Sequence, residues 1–124
     1  MKNITKFEMI QQRGNIAQFN IVGLAPAAVK TLLKLHERVE TTIAEYLRME
    51  QQLIEKYDIK VLKSGEFDPT SENYDEFKKS LHAIRAEEVD LSDLTPLTED
   101  EAIIAVSKMG APIAVIADIT NLLC

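Results

Sequence analysis

The residues with the widest chemical scope are His36, His82, Cys124 and an acidic series, Glu87, Glu88, Asp90, Asp93, Glu99, Asp100 and Glu101. A zinc site needs three or four nitrogen, sulfur or oxygen ligands at short, characteristic spacings. His36 with Glu40 supplies one i,i+4 pair, His82 stands on a different helical segment, and Cys124 is the last residue. The acidic series could hold a cation or perform general acid–base work. It also reads as a solvated connector that ends in the negative first turn favoured at a helix N-terminus. The second reading accounts for Glu99 to Glu101 without a ligand, and the series lacks the glycine and spacing of a calcium loop. Ser64-Gly65 is not set between the glycines of a nucleophile elbow, and the four glycines are too scattered to cradle a phosphate. The expectation is a non-enzymatic chain with no metal and no cofactor.

The composition narrows the class further. At 124 residues the chain is expected to form one domain, 1–124, and 46% hydrophobic with 27% charged residues favours a folded core over disorder. A net charge of −6, with Lys and Arg scattered, works against nucleic-acid backbone and anionic lipid. Only 6% of residues are aromatic and Trp is absent, so a base-stacking platform has little to build on. One cysteine cannot make an internal disulfide, which fits a reducing compartment, and Cys124 is misplaced for a prenylation box. Lys6, Glu8 and Arg13 interrupt any signal-peptide core. Lys108, Gly110, Pro112 and Asp118 make the apolar stretch from Ile103 to Leu123 too polar to span a membrane alone.

The strongest pattern is structural. Val29, Leu32, His36, Val39, Ile43, Tyr46, Glu50, Leu53 and Tyr57 form a 3-4-3-4 ladder in which every rung except His36 and Glu50 is apolar or aromatic. That spacing keeps one helix in register along a shared seam. Pro26 suits the first helical position, so the central helix should run from about 26 to 57, roughly 48 Å at ~1.5 Å per residue. Such a rod is longer than a compact chain of this size easily covers, so part of the seam is expected to meet another subunit or partner. His36 and Glu50 either meet polar partners on a facing helix and fix register, or face water where the seam passes the core. A buried His36 would make assembly pH-dependent.

The remaining elements frame this rod. Thr5 can cap a helix over 5–20, and Gly23 marks a turn between Asn20 and Ala25. Lys63-Ser64-Gly65-Glu66 is a second turn signal. A third helix should start after Ser71 or Asn73 and reach about Glu88, with Tyr74, Phe77, Leu81 and Ile84 on one face. Thr98 to Glu101 is a capping box for a fourth helix ending near Met109, where Gly110 can take a left-handed cap. Pro112 can start a fifth helix through Leu123, although the β-branched run Ile113 to Ile116 also suits a strand. Ile113, Ile116, Ile119 and Leu123 wrap most of this segment, as in a core helix or a subunit interface. The predicted fold is mainly α: a small helical bundle around one long central helix, with a short β-ribbon pairing 59–61 with 89–91.

The stretch from Leu32 to Tyr57, notably Leu53-Ile54-Glu55-Lys56-Tyr57, is followed by a short Gly-containing linker, then Glu72-Asn73-Tyr74-Asp75-Glu76-Phe77-Lys78-Lys79 and Glu87-Glu88-Val89. Over about residues 26–95 this order resembles a family of small tailed-phage proteins known only as a domain of unknown function. The resemblance implies phage origin, a place in the host cytoplasm or the virion, and an accessory part without catalytic residues. The expected function is protein–protein contact in virion structure or assembly, as a homo-oligomer or with other phage subunits, and without nucleic acid or membrane. The alternative is a small host-interaction factor that inhibits a bacterial defence protein or sequesters a small signalling ligand. The expected contact residues are Val29, Leu32, His36, Val39, Ile43, Tyr46, Glu50 and Leu53 of the seam, with Ile113, Ile116, Ile119 and Leu123.

Overall fold

The central helix forms as its spacing predicts, and its ends have clear physical causes. In a computed structural model describing all residues from 1 to 124, it spans Pro26–Lys56 as α2. Pro26 sits where its missing N–H costs no hydrogen bond. At the far end Asp58 takes a left-handed φ of 51°, and two backbone bonds close the last turn: Asp58 N–H to the Glu55 carbonyl at 3.3 Å and Ile59 N–H to the Ile54 carbonyl at 3.0 Å. This is a Schellman motif with aspartate where glycine is usual, and it turns Ile59 back into the core.

Before α2 come a two-residue strand, Ile4–Thr5 (β1), and helix Lys6–Ile16 (α1). After it come Tyr74–Arg85 (α3), strand Glu88–Val89 (β2), Glu99–Val106 (α4) and Ile113–Leu123 (α5). Reciprocal capping boxes start α1, through Thr5 and Glu8, and α4, through Thr98 and Glu101. Gly23 and Gly65 hold φ of 89° and 85° in the two turns, a region that side chains with a Cβ rarely enter. Residues 113–123 are helix, so the strand reading of that run is not realised.

Several boundaries fall short of expectation because other parts of the chain compete for the same backbone groups. The first helix stops at Ile16, not 20, because Asn20 serves the end of α4. Its N–H donates to the Ala105 carbonyl at 2.9 Å, and its side-chain amide reaches the Ile104 carbonyl at 3.4 Å. The fourth helix stops at Val106, short of Met109, and Gly110 is not left-handed. Its N–H instead donates to Gln18 Oε1 at 2.9 Å. The third helix ends at Arg85, short of Glu88, because Glu88–Val89 is drawn into a strand.

The β-ribbon is real, but its partner is different. Val89 pairs with Ile4 and Glu88 with Thr5, antiparallel, while Val61 bridges Phe67 across the local turn. The predicted pairing of 59–61 with 89–91 is therefore replaced on both sides. A turn of a few residues closes Val61 onto Phe67 at little entropic cost. The N-terminal residues take the other edge, where Lys6 N–H donates to the Glu87 carbonyl at 3.0 Å and Asn3 Oδ1 accepts from Leu91 N–H at 3.1 Å.

The apolar interior has two parts along α2. The larger gathers Leu32, Leu35, Val39 and Ile43 with Met9 and Ile16 of α1, Leu91, Leu94 and Leu97 of the connector, and the inner faces of α4 and α5. The smaller holds Tyr46, Ile59, Phe77 and Leu81, with Phe67 edge-on to Phe77 at 4.9 Å between ring centres. The buried stripe runs through Leu35 where the ladder had His36, which faces water. This shift gives a direct check of phase. Leu35→Ala should lower stability by about 3 kcal/mol, and Leu33→Ala, on the exposed side, should stay within about 0.5 kcal/mol, both read as urea midpoints. Asp58→Gly should raise stability by about 0.5 kcal/mol. The left-handed strain relieved, about 1–2 kcal/mol, exceeds the backbone entropy of about 0.4–1 kcal/mol that glycine gains when unfolded.

Candidate interaction surface

The expected contact residues divide sharply by burial. Leu32, Val39, Ile43, Tyr46, Ile119 and Leu123 lie in the chain's own core. Val29, Glu50, Leu53 and Ile116 are half-buried, while His36 and Ile113 are exposed, Ile113 at 86%. The two apolar clusters cover the seam from Ala28 to Tyr57, so another subunit is not needed to shelter it. Of the eight seam residues expected to make contacts, Leu32, Val39, Ile43 and Tyr46 are thus interior to this chain, while Val29, Glu50 and Leu53 stay half-buried and His36 exposed.

Of the two polar rungs, Glu50 meets a partner on a facing helix within the same chain. It accepts the Tyr46 hydroxyl at 2.7 Å, and that hydroxyl in turn accepts Arg85 Nε–H at 2.8 Å. Arg85 also lies 4.0 Å from Glu50, and its guanidinium carbon is 5.9 and 5.8 Å from the ring centres of Tyr46 and Phe7. Burial, reinforced by the bond to Glu50 and opposed by Arg85, pushes the Tyr46 hydroxyl up to about 12 from an ordinary 10. The group ties α2 to α3 and fixes their register. The condition for a pH-switched seam, a buried His36, is not met within one chain.

The acidic series is distributed among structural tasks. Glu87 pairs with Lys6 at 2.8 Å, Asp93 holds Arg38 through two bonds of 3.0 and 2.8 Å, and Glu101 caps α4. Asp90 accepts from Ser92 N–H at 2.9 Å. The Arg38 guanidinium keeps the Asp93 carboxyl below its usual range, and Arg13 does the same for Glu40. No three His, Cys, Asp or Glu residues come together in a geometry that could hold a metal ion, and no helix is long and apolar enough to cross a membrane.

Of the large apolar side chains left exposed, Phe7, Leu47, Ile103 and Ile113 lie apart, while five lie at two places. One is a groove of about 240 Å³ between the end of α1 and the first turns of α2, lined by Ala17, Phe19, Ile21, Leu33 and His36 over a floor of Ile16 and Leu32. Leu33 is 61% exposed there, and Val22 in the adjoining turn is 73% exposed. The other is the tip of the 61–67 turn, where Val61 and Leu62 are 52% and 43% exposed between Lys60 and Lys63. Neither place was singled out from sequence. Leu33 lies outside the nine-rung ladder, and the signal that could have found it is its place one position from Leu32, off the buried stripe.

The Tyr46 group yields a pH prediction with a defined sign. Because the folded-state pKa is raised, its stabilising effect is complete below pH 10 and is lost as pH rises from 10 towards 12. Tyr46→Phe should remove that alkaline loss and cost about 1–2 kcal/mol at neutral pH, since Glu50 and Arg85 lose a shared partner. Urea unfolding at a series of pH values, with the phenolate absorbance followed in parallel, reads both effects.

Set beside known proteins, the chain finds no counterpart: no family model matches it, and neither a curated protein nor a solved structure is significantly similar.

Proposed function

We propose that the chain is a contact component of a tailed phage that works through protein–protein association in virion structure or assembly, in the virion or the host cytoplasm. The observation that carries this reading is the open apolar groove at the start of α2, where Ile21, Val22 and Leu33 stay exposed beside the half-buried Phe19. Apolar side chains clustered at one place and rimmed by charge are the usual mark of a surface that another protein covers. Support for the phage setting comes from the residue order over about 26–95 described above. Rigid presentation adds to it, since Leu33 projects from the early turns of a helix whose opposite face is locked into the core.

A second reading draws on the charge of −6. A small acidic protein suits a basic target, so a host-interaction factor that blocks a defence protein would use the carboxylates more than the groove. The two readings differ in their dependence on salt and on Leu33.

The test is co-purification with phage particles or assembly intermediates, probed with an antibody to the chain. The wild-type chain should sediment with them. The Val22→Asp, Leu33→Asp double variant should retain its helical circular dichroism and lose at least tenfold of that association. A chain absent from all particle fractions that instead captures one host protein in a salt-sensitive manner would replace this reading with the second.

A further inference from the structure

We infer that the cavity between the first turns of α2 and the 93–97 connector binds a phosphoryl group, as free phosphate or as the head of a small non-aromatic ester. Neither Val22 nor Leu33 lines this cavity, so the site is separable from the proposed association surface.

The cavity has a volume of about 290 Å³ and runs along the face of α2 that carries Ala27, Ala28, Thr31 and Lys34, with the connector and Glu101 opposite. The start of this helix leaves donors without acceptors. Ala25 is the N-cap residue, no side chain caps the helix, and no acidic residue stands in its first turn. Pro26 has no N–H, and the first backbone bond runs from Val29 N–H to the Ala25 carbonyl at 3.1 Å. The N–H groups of Ala27 and Ala28 therefore have no partner in the chain, and Ala28 is itself buried.

Thr31 points to a ligand independently. It lies one turn above Ala27, is only 8% exposed, and lines the same cavity. Its hydroxyl makes no hydrogen bond within the chain. No fully enclosed side-chain oxygen or nitrogen of the protein lacks a partner, so the unpaired Thr31 oxygen faces open space, which the cavity provides. A hydroxyl held this way carries a desolvation cost that a bound acceptor would remove.

Four charged side chains line the cavity, two of each sign. Lys30 and Lys34 are exposed and outside every ion pair of the chain. Asp93 has both oxygens taken by Arg38, at 3.0 and 2.8 Å, and Glu101 gives Oε1 to the Thr98 N–H at 3.0 Å. Only Glu101 Oε2 is left as a free carboxylate oxygen. Two N–H groups, a hydroxyl and two ammonium groups thus await an oxygen-rich anion, the ligand that a helix N-terminus favours without any glycine loop. A phosphoryl group, with three acceptor oxygens, uses more of these donors than a carboxylate does. No aromatic side chain lines the cavity, so a nucleobase has no ring to stack on, whereas Ala28, Leu94, Pro96 and Leu97 can cover a short aliphatic body.

Amide NMR of the labelled chain, titrated at constant ionic strength with inorganic phosphate, glycerol 3-phosphate and adenosine monophosphate, tests the site. The Ala27 and Ala28 resonances should shift saturably with phosphate in the millimolar range. Tighter binding of glycerol 3-phosphate would identify an ester as the ligand, and equal binding would identify free phosphate. Lys30→Gln with Lys34→Gln should weaken binding about tenfold. Thr31→Val should weaken it without lowering the melting temperature, and Thr42→Val, at an equally buried threonine outside the cavity, should leave it unchanged. Ala25→Asp supplies the missing cap to the same N–H groups, so it should raise the melting temperature and abolish the response to phosphate. The inference is overturned by the absence of a saturable shift, or by an equal response to acetate. Adenosine monophosphate binding more tightly than glycerol 3-phosphate, or wild-type affinity in the Ala25→Asp or Thr31→Val chain, overturns it as well.

Discussion

A 31-residue helix in a chain of this size must find apolar cover over roughly 46 Å, and that demand organises the rest of the fold. No single neighbouring helix is long enough. The chain meets the requirement in two stages: α1, the 91–97 connector, α4 and α5 cover Ala28 to Ile43, and α3 with the 59–67 turn covers Tyr46 to Tyr57. The connector's role follows from this. Leu91, Leu94 and Leu97 recur every third residue and point inward, while Ser92, Asp93, Thr95 and Pro96 between them face water. A segment without helix or long strand thereby contributes three core side chains.

The polar contacts hold these layers in register more than they add to stability. The Arg13–Glu40 and Arg38–Asp93 pairs are solvent-exposed, and ion pairs of that kind contribute little individually. Their geometry is still informative, because both are bidentate and each joins α2 to a different covering element. Tyr46, Glu50 and Arg85 perform the same task for α3 from a more buried position. Along one helix, three arginine-centred contacts set the rotation and height of three packed neighbours.

The periodic features were legible in the residues themselves. The central helix from Pro26, both turns with their glycines, the Thr98–Glu101 box and the helical face of Phe77 and Leu81 follow from local chemistry and spacing. Features set by distant parts of the chain were not. Nothing near Asn20 indicates that it closes α4, and nothing near Ile4 indicates that it pairs with Val89. The ladder also misplaced one rung. A 3.5-residue repeat can step by three or by four: the ladder steps from Leu32 by four to His36, but the buried stripe steps by three to Leu35 and then by four to Val39. The same limit explains the candidate surface. Leu32 and Leu33 are chemically identical, and only the phase of the helix against its neighbours decides which one is interior.

Because the apolar interior is split, the molecule has unequal halves. Ile10 packs against both clusters and, with the shared shaft of α2, joins them; only four buried residues hold the smaller one. Local opening takes least free energy where few apolar groups are buried. The α3 arm and its preceding turn can therefore swing away from the shaft while the larger half keeps its order. Amide protons of α3 would exchange with solvent ahead of those around Leu35 and Val39, and a protease would make its first cut between Asp58 and Asn73.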